Sequence, residues 1–146
     1  MMIEEERPLS DVYFFWMERA VKAQHKAKNK LFKNLNIHLT SDQWMILKRL
    51  TEKEGQTQRE LAASLSKDPA SLTRSLDILQ KESLLERRSA DRRSFTVHLT
   101  DKGNQLVDRV MPEAIKFREK GIAGVSADEM TVFKKVLDTI YKNFSD

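Results

Sequence analysis

Two helix-start signals stand so close together, between Thr57 and Pro69, that the helices they open cannot be collinear. Thr57-Gln58-Arg59-Glu60 reads as a capping box, in which the threonine hydroxyl accepts an amide proton and the glutamate reaches back to the N-cap amide. It heads a short helix carrying Leu61, Ala62 and Leu65. Two or three residues later Asp68-Pro69 starts another, because Pro suits the first helical position and the Asp before it accepts an orphan amide proton. This second helix runs to about Glu82. Leu72, Leu76 and Leu79 share one stripe, and Ala70, Arg74, Asp77 and Lys81 lie opposite.

The hydrophobic period then changes. Ser94-Phe95-Thr96-Val97-His98-Leu99-Thr100 alternates apolar and polar residues, the pattern of a half-buried strand. Leu84 to Arg88 supplies a partner strand across the charged loop Ser89-Ala90-Asp91-Arg92-Arg93. Elsewhere the pattern is helical. An acidic start, Met1 to Arg7, is expected to fray, and Ser10 or Asp11 caps a helix to about Leu35. Thr40-Ser41-Asp42-Gln43 is a capping box for a helix that Gly55 stops, and Ser126-Ala127-Asp128-Glu129 is another for the last helix. Thr100 or Asp101 caps a long helix expected to kink near Pro112. The expected fold class is mainly α with one β-hairpin wing.

Composition bounds the function. At 146 residues, and without repeats or a Pro/Ser linker, the chain is expected to be a single domain over 1–146. Charged residues make up 33%, against about 25% in ordinary domains, and Gly and Pro are few. The longest apolar run, Val12 to Met17, is too short for a bilayer span or a signal-peptide core, so a cytoplasmic location without membrane association is expected. The absence of cysteine excludes disulfides, zinc–thiolate sites and thiol redox sensing. His25, His38 and His98 offer no ligand spacing, and His98 is expected to face solvent or a bound polyanion. No phosphate-binding glycine loop, nucleophile elbow or His-Glu-x-x-His helix occurs, so the chain is expected to be neither an enzyme nor a cofactor binder.

Short helix, tight turn, longer helix and two-stranded ribbon is the order of a winged helix-turn-helix, whose second helix fits the B-DNA major groove. Ala70 leaves room for base edges, Ser71 and Thr73 offer hydroxyls, and Arg74 can pair with guanine or phosphate. In the ribbon Arg87, Arg88, Arg92 and Arg93 place four cations in seven residues with Asp91 among them, and a wing can deliver such an arginine to a narrow minor groove. A solvated amphipathic helix and a charged hairpin tip is the plain alternative. Another is a winged-helix module that binds protein.

The stretches Leu61-Ala62, Leu72-Thr73-Arg74, Leu84-Leu85-Glu86-Arg87 and Asp91-Arg92-Arg93-Ser94-Phe95-Thr96-Val97-His98-Leu99-Thr100-Asp101-Lys102-Gly103 resemble a MarR-type transcriptional regulator. The last resembles the family's wing signature, an Asp, any residue, an Arg and a small residue ahead of Val-x-Leu-Thr-x-x-Gly. The resemblance implies a six-helix homodimer with intertwined terminal helices, acting on a pseudo-palindromic operator in double-stranded DNA, most often as a repressor. It implies a winged lobe over about 37–100 and a helical dimerisation region over about 8–36 and 101–145. The DNA-binding residues it implies are Ala70, Ser71, Thr73, Arg74, Asp91, Arg92 and Arg93, with Arg93 entering the minor groove and Asp91 as its salt-bridge partner. A small aromatic effector is implied as well, though no residue identifies it. Members often carry Gly at the positions of Ser66 and Ser83, which favour left-handed backbone.

Three further groups are read beside this. The stripe Met130, Phe133, Leu137, Ile140 and Phe144, with Leu106, Val110 and Phe117, is expected to be a subunit interface in preference to core. Tyr13, Trp16, Met17 and Trp44 are expected to be core in preference to a ligand surface. The lysines from Lys22 to Lys33 read as a solvated face.

Overall fold

The computed structural model describes residues 6–145; Met1 to Glu5, most of the segment expected to fray, lie outside the described residues. A 3₁₀ turn, Leu9–Asp11, leads into α1 (Tyr13–Asn34), α2 (Ser41–Glu52), α3 (Gln58–Ser64), α4 (Pro69–Lys81), β1 (Leu85–Ser89), β2 (Phe95–Leu99), α5 (Asp101–Gly121) and α6 (Ala127–Phe144). The fold is therefore mainly helical with one antiparallel hairpin, as the change of period requires.

The capping boxes form as their spacing dictates. Thr40, Thr57 and Ser126 each accept the N3 amide, while Gln43, Glu60 and Glu129 return to the cap amide. Asp68 accepts from the Ser71 amide at 3.1 Å, with Pro69 opening α4. Thr100 is the cap of α5, its hydroxyl oxygen accepting from the Gly103 amide at 3.0 Å. The start of α1 differs from expectation. Pro8 leads a 3₁₀ turn in which the Asp11 amide donates to the Pro8 carbonyl, so Ser10 and Asp11 are inside a turn and neither caps α1. Val12 stands at the N-cap without a side-chain bond.

α1, α3 and α4 end in the same way. Asn36, Ser66 and Ser83 adopt φ of 56°, 51° and 61°. At each, the next amide reaches back over the last turn: Ile37 to the Phe32 carbonyl, Lys67 to Ala62 and Leu84 to Leu79. These are Schellman closures, which need a left-handed residue just past the helix. Ser66 and Ser83 thus take the backbone expected where the resembling family uses Gly.

The closure at Ser83 also moves the strand. Leu84 completes the α4 closure, so β1 begins at Leu85 and extends to Ser89, one residue later than its sequence pattern indicates. The register pairs Leu85 with Leu99, Arg87 with Val97 and Ser89 with Phe95. β2 has a second neighbour: the Gly55 amide donates to the Val97 carbonyl at 3.1 Å, the Val97 amide to Gln56 at 2.9 Å, and Thr57 bridges Thr96. This loop covers the outer edge of β2. His98 is held beneath it, with Nε2 2.8 Å from Thr96 Oγ1 and Nδ1 3.7 Å from Glu54 Oε1, and only 15% of its side chain is exposed. The expectation that His98 faces outward is thereby corrected.

The core joins Ile46, Leu47 and Leu50 of α2, Leu61 of α3, the α4 stripe Leu72, Leu76 and Leu79, and Leu85 and Val97 of the hairpin. Burying each such side chain contributes about 1.5–3 kcal/mol. Val107 and Val110 of α5 are buried too, so Val110 belongs to the core and not to an exposed stripe. Trp44 is core as expected, whereas Tyr13 and Trp16 are half exposed. Lys28 departs from the solvated lysine face: its ammonium donates to Ser41 Oγ at 3.0 Å, and partial burial lowers its pKa while Asp42 offsets part of that shift. Packing divides the chain at Pro112, inside α5, into two compact units. In the second unit no residue of α6 is buried.

Candidate nucleic-acid interface

α4 owes its orientation to its two ends. The Asp68 cap and Pro69 set its entry, the Ser83 closure sets its exit, and the leucine stripe fastens one face to the core. The opposite face presents Ala70, Thr73 and Arg74, all exposed, with Ser71 half buried. The Thr73 hydroxyl donates to the Pro69 carbonyl at 3.0 Å, so its oxygen remains able to accept a further bond. The Arg74 guanidinium has no ion pair among the described residues.

One acid lies on this face, Asp77, and the hairpin neutralises it. Arg87 Nη2 is 2.6 Å from Asp77 Oδ1, and Arg87 Nε donates to Gln80 Oε1 at 2.7 Å. Arg88 is likewise engaged, through Nε and Nη2, by Glu86 Oε1 at 2.9 and 2.6 Å. Four wing cations are thus reduced to two. Arg92 and Arg93 are exposed and form no ion pair among the described residues.

Asp91 acts differently from the salt-bridge partner the resemblance implies. Its Oδ1 accepts the backbone amides of Arg93 at 2.8 Å and Ser94 at 3.0 Å, and no ion pair joins it to the Arg93 guanidinium. The Arg93 amide, chiefly, holds its carboxyl below the usual Asp range; desolvation opposes it, and Ser94 adds to the lowering. The Ser89 hydroxyl donates to the Asp91 carbonyl, and the Ala90 amide donates to Ser94. The wing tip is therefore a closed turn. Its aspartate is consumed by the backbone, which leaves both arginine heads outside.

Between the first turn of α3 and the wing lies an open cleft of about 460 Å³, lined by Gln58, Arg59, Arg93, Ser94 and Phe95 among others. Arg59 and Phe95 do not figure in the sequence-based site. A cation at the third position of a capping box reads only as a solvated helix residue, and an apolar residue in an alternating strand reads as core. Phe95 is nevertheless 48% exposed. Among the described residues no cluster of His, Cys, Asp or Glu could hold a metal, and no helix is long and apolar enough to cross a membrane.

The MarR family profile matches residues 39–95. Solved structures share the fold over nearly the whole chain. AbsC, a MarR family transcriptional regulator from Streptomyces coelicolor, is 18% identical with a TM-score of 0.84, covering 97% of each chain. The PcaV transcriptional regulator from Streptomyces coelicolor, solved with its natural ligand, is 21% identical with a TM-score of 0.82 over 95% of this chain and 98% of its own. BpsR of Bordetella bronchiseptica, whose DNA binding is regulated by 6-hydroxynicotinic acid, is 19% identical with a TM-score of 0.78 over 94% and 98%. The match spans α2 to the start of β2, the helix pair and wing described above. Residues 39–95, which hold the helix pair and the wing, are thus similar to the MarR family, and the fold around them is shared with its solved members.

Proposed function

We propose that the chain is a cytoplasmic transcriptional regulator that binds double-stranded DNA site-specifically as a homodimer and represses until a small aromatic effector binds. The observation that carries this reading is the charge arrangement. Arg74, Arg92 and Arg93 stand outside with no ion-pair partner among the described residues, while Asp77, the acid that would repel phosphate on the same face, is occupied by Arg87. Residues 37–100 are the DNA-binding lobe, and residues 8–36 and 101–145 the dimerisation region. α4 enters the major groove with Ala70, Ser71, Thr73 and Arg74. The Asp91-closed tip carries Arg92 and Arg93 to the minor groove, where a narrow, electronegative channel favours guanidinium.

A twofold dimer places its two α4 helices in successive major grooves, so half-site centres lie about 34–36 Å apart. An effector releases DNA only if it binds better to a dimer whose lobes are spaced differently. The likeness to PcaV and BpsR supports a small ligand in that role. Selection of bound duplexes from random DNA tests the whole reading, and an enriched inverted repeat with that spacing is expected. Arg74→Ala and Arg93→Ala should each weaken binding and flatten its salt dependence while the fold is kept. Failure to enrich any motif at moderate salt would favour a protein-binding winged helix.

A further inference from the structure

We infer that the cleft between α3 and the wing seats one sugar-phosphate strand of the duplex beside the groove the wing enters, with Arg59 as its phosphate ligand and Phe95 against its sugar. The inference rests on the DNA-binding reading above and adds a contact that this reading does not contain. The observations are three.

Arg59 is exposed and has no ion pair among the described residues, although Glu60 follows it directly. Glu60 is committed elsewhere, its Oε2 accepting the Thr57 amide in the capping box. Asp91, the acid that lines the cleft, has Oδ1 bound by two wing amides. The cleft therefore presents cations from both walls, Arg59 and Arg93, against the single carboxylate of Asp91, which the wing amides hold by Oδ1.

Phe95 supplies the second chemistry. It pairs with Ser89 at the outer end of the hairpin and keeps 48% of its surface exposed beside those cations. A free inorganic anion gains nothing from such a ring. A nucleic-acid strand, which alternates anionic phosphate with apolar sugar, matches both components.

Duplex geometry supplies the third. The minor groove is only about 6 Å wide, so a wing tip inserted in it has a phosphate strand close on either side. The cleft lies on the side of the tip that faces α3, where such a strand would run.

The test compares wild-type protein with Arg59→Ala, Arg59→Lys and Phe95→Ala on a selected duplex. Arg59→Ala should weaken binding several-fold on cognate and non-cognate duplex alike and reduce the slope of log K against log salt by about 0.9, the value for one lost phosphate. It should also erase one phosphate-ethylation interference position in each half-site. Arg59→Lys should keep both features. Phe95→Ala should lower affinity with the slope unchanged. Thermal melting of each variant in the absence of DNA separates lost contact from lost fold. If wild type binds duplex while folded Arg59→Ala keeps its slope and its interference pattern, the inference is wrong and the DNA-binding reading stands. If wild type binds no duplex, both fall.

Discussion

Arg87 of β1 reaches back to Asp77 of α4, its Nη2 2.6 Å from the Asp77 Oδ1, and the same side chain donates to Gln80 one turn further along that helix. With its side chain only 20% exposed, Arg87 braces the wing against α4, whereas a solvated cation would be free to grip phosphate. The brace should show as coupling. Arg87→Ala and Asp77→Ala should each cost about 1 kcal/mol in urea denaturation, and the double variant less than the sum. Additive losses would mean that the two groups do not act as a pair. Arg87→Ala should also leave the salt slope of DNA binding unchanged, in contrast to Arg93→Ala.

Ser83 is held at φ 61°, a conformation that costs a non-glycine residue about 1 kcal/mol. Its position cannot relax, because Leu84 must reach the Leu79 carbonyl and both leucines are buried. Ser83→Gly should therefore stabilise the protein by about 0.5–1 kcal/mol and raise the melting midpoint by a few degrees. A lowered midpoint would show that the serine side chain contributes more than the backbone strain removes.

Gly103 is the opposite case. It sits in the first turn of α5, where a Cβ would lie far inside contact distance of the Leu84 carbonyl oxygen and 3.3 Å from Leu99 Cδ2. That carbonyl is fixed by the Thr100 amide and belongs to backbone, so it cannot swing aside. Gly103→Ala gains up to about 1 kcal/mol of helix propensity and should still lose stability, because overpacking against backbone costs about 1–3 kcal/mol or more. Urea denaturation with a midpoint at or above wild type would refute the close approach.

What could be read from the sequence was local chemistry. The boxes at Thr40, Thr57 and Ser126 depend on residues three apart, and the Leu72, Leu76 and Leu79 stripe depends on helical period alone. The left-handed backbone at Ser66 and Ser83 followed from the resembling pattern. What could not be read was partner choice. Arg87 looks like Arg93 in sequence, yet one lies within reach of Asp77 and the other does not, because α4 and β1 are joined through the Ser83 closure. His98 has the alternation of an outward strand residue, and only the pairing of Gly55 and Gln56 with Val97 covers it. The same limit hid Arg59, whose importance lies in the wing across from it.

Asp91 makes the wing tip sensitive to acid. Its folded pKa is depressed below the ordinary 3.8, mainly by the Arg93 amide. A depressed carboxylate contributes stability above the unfolded value, and that contribution is lost as pH falls through the folded one. The Asp91 carboxyl resonance should therefore titrate below 3.8, with the Arg93 and Ser94 amide shifts moving in the same step and the core unaffected. A midpoint at or above 3.8 would mean the turn is not closed in solution. Asp91→Ala should speed amide exchange at Arg93 and Ser94 at neutral pH.

The proposed dimer has its own measurement. α6 buries no residue, and Val132, Phe133 and Val136 are 60%, 52% and 48% exposed. Monomeric proteins rarely leave contiguous apolar patches beyond a few hundred Å² in water, so a helix of this kind requires a cover. The proposed cover is a second copy of the chain, since a reader of two half-sites needs twofold symmetry. Sedimentation equilibrium at micromolar concentration should give twice the 17.0 kDa chain mass. Phe133→Asp and Val136→Asp place a charge in the covered face and should shift the protein to monomer, with a loss of operator affinity far beyond that of Arg93→Ala. A wild-type monomer under these conditions, or a charged variant that stays dimeric, would remove α6 from the interface and with it the proposed spacing of the two recognition helices.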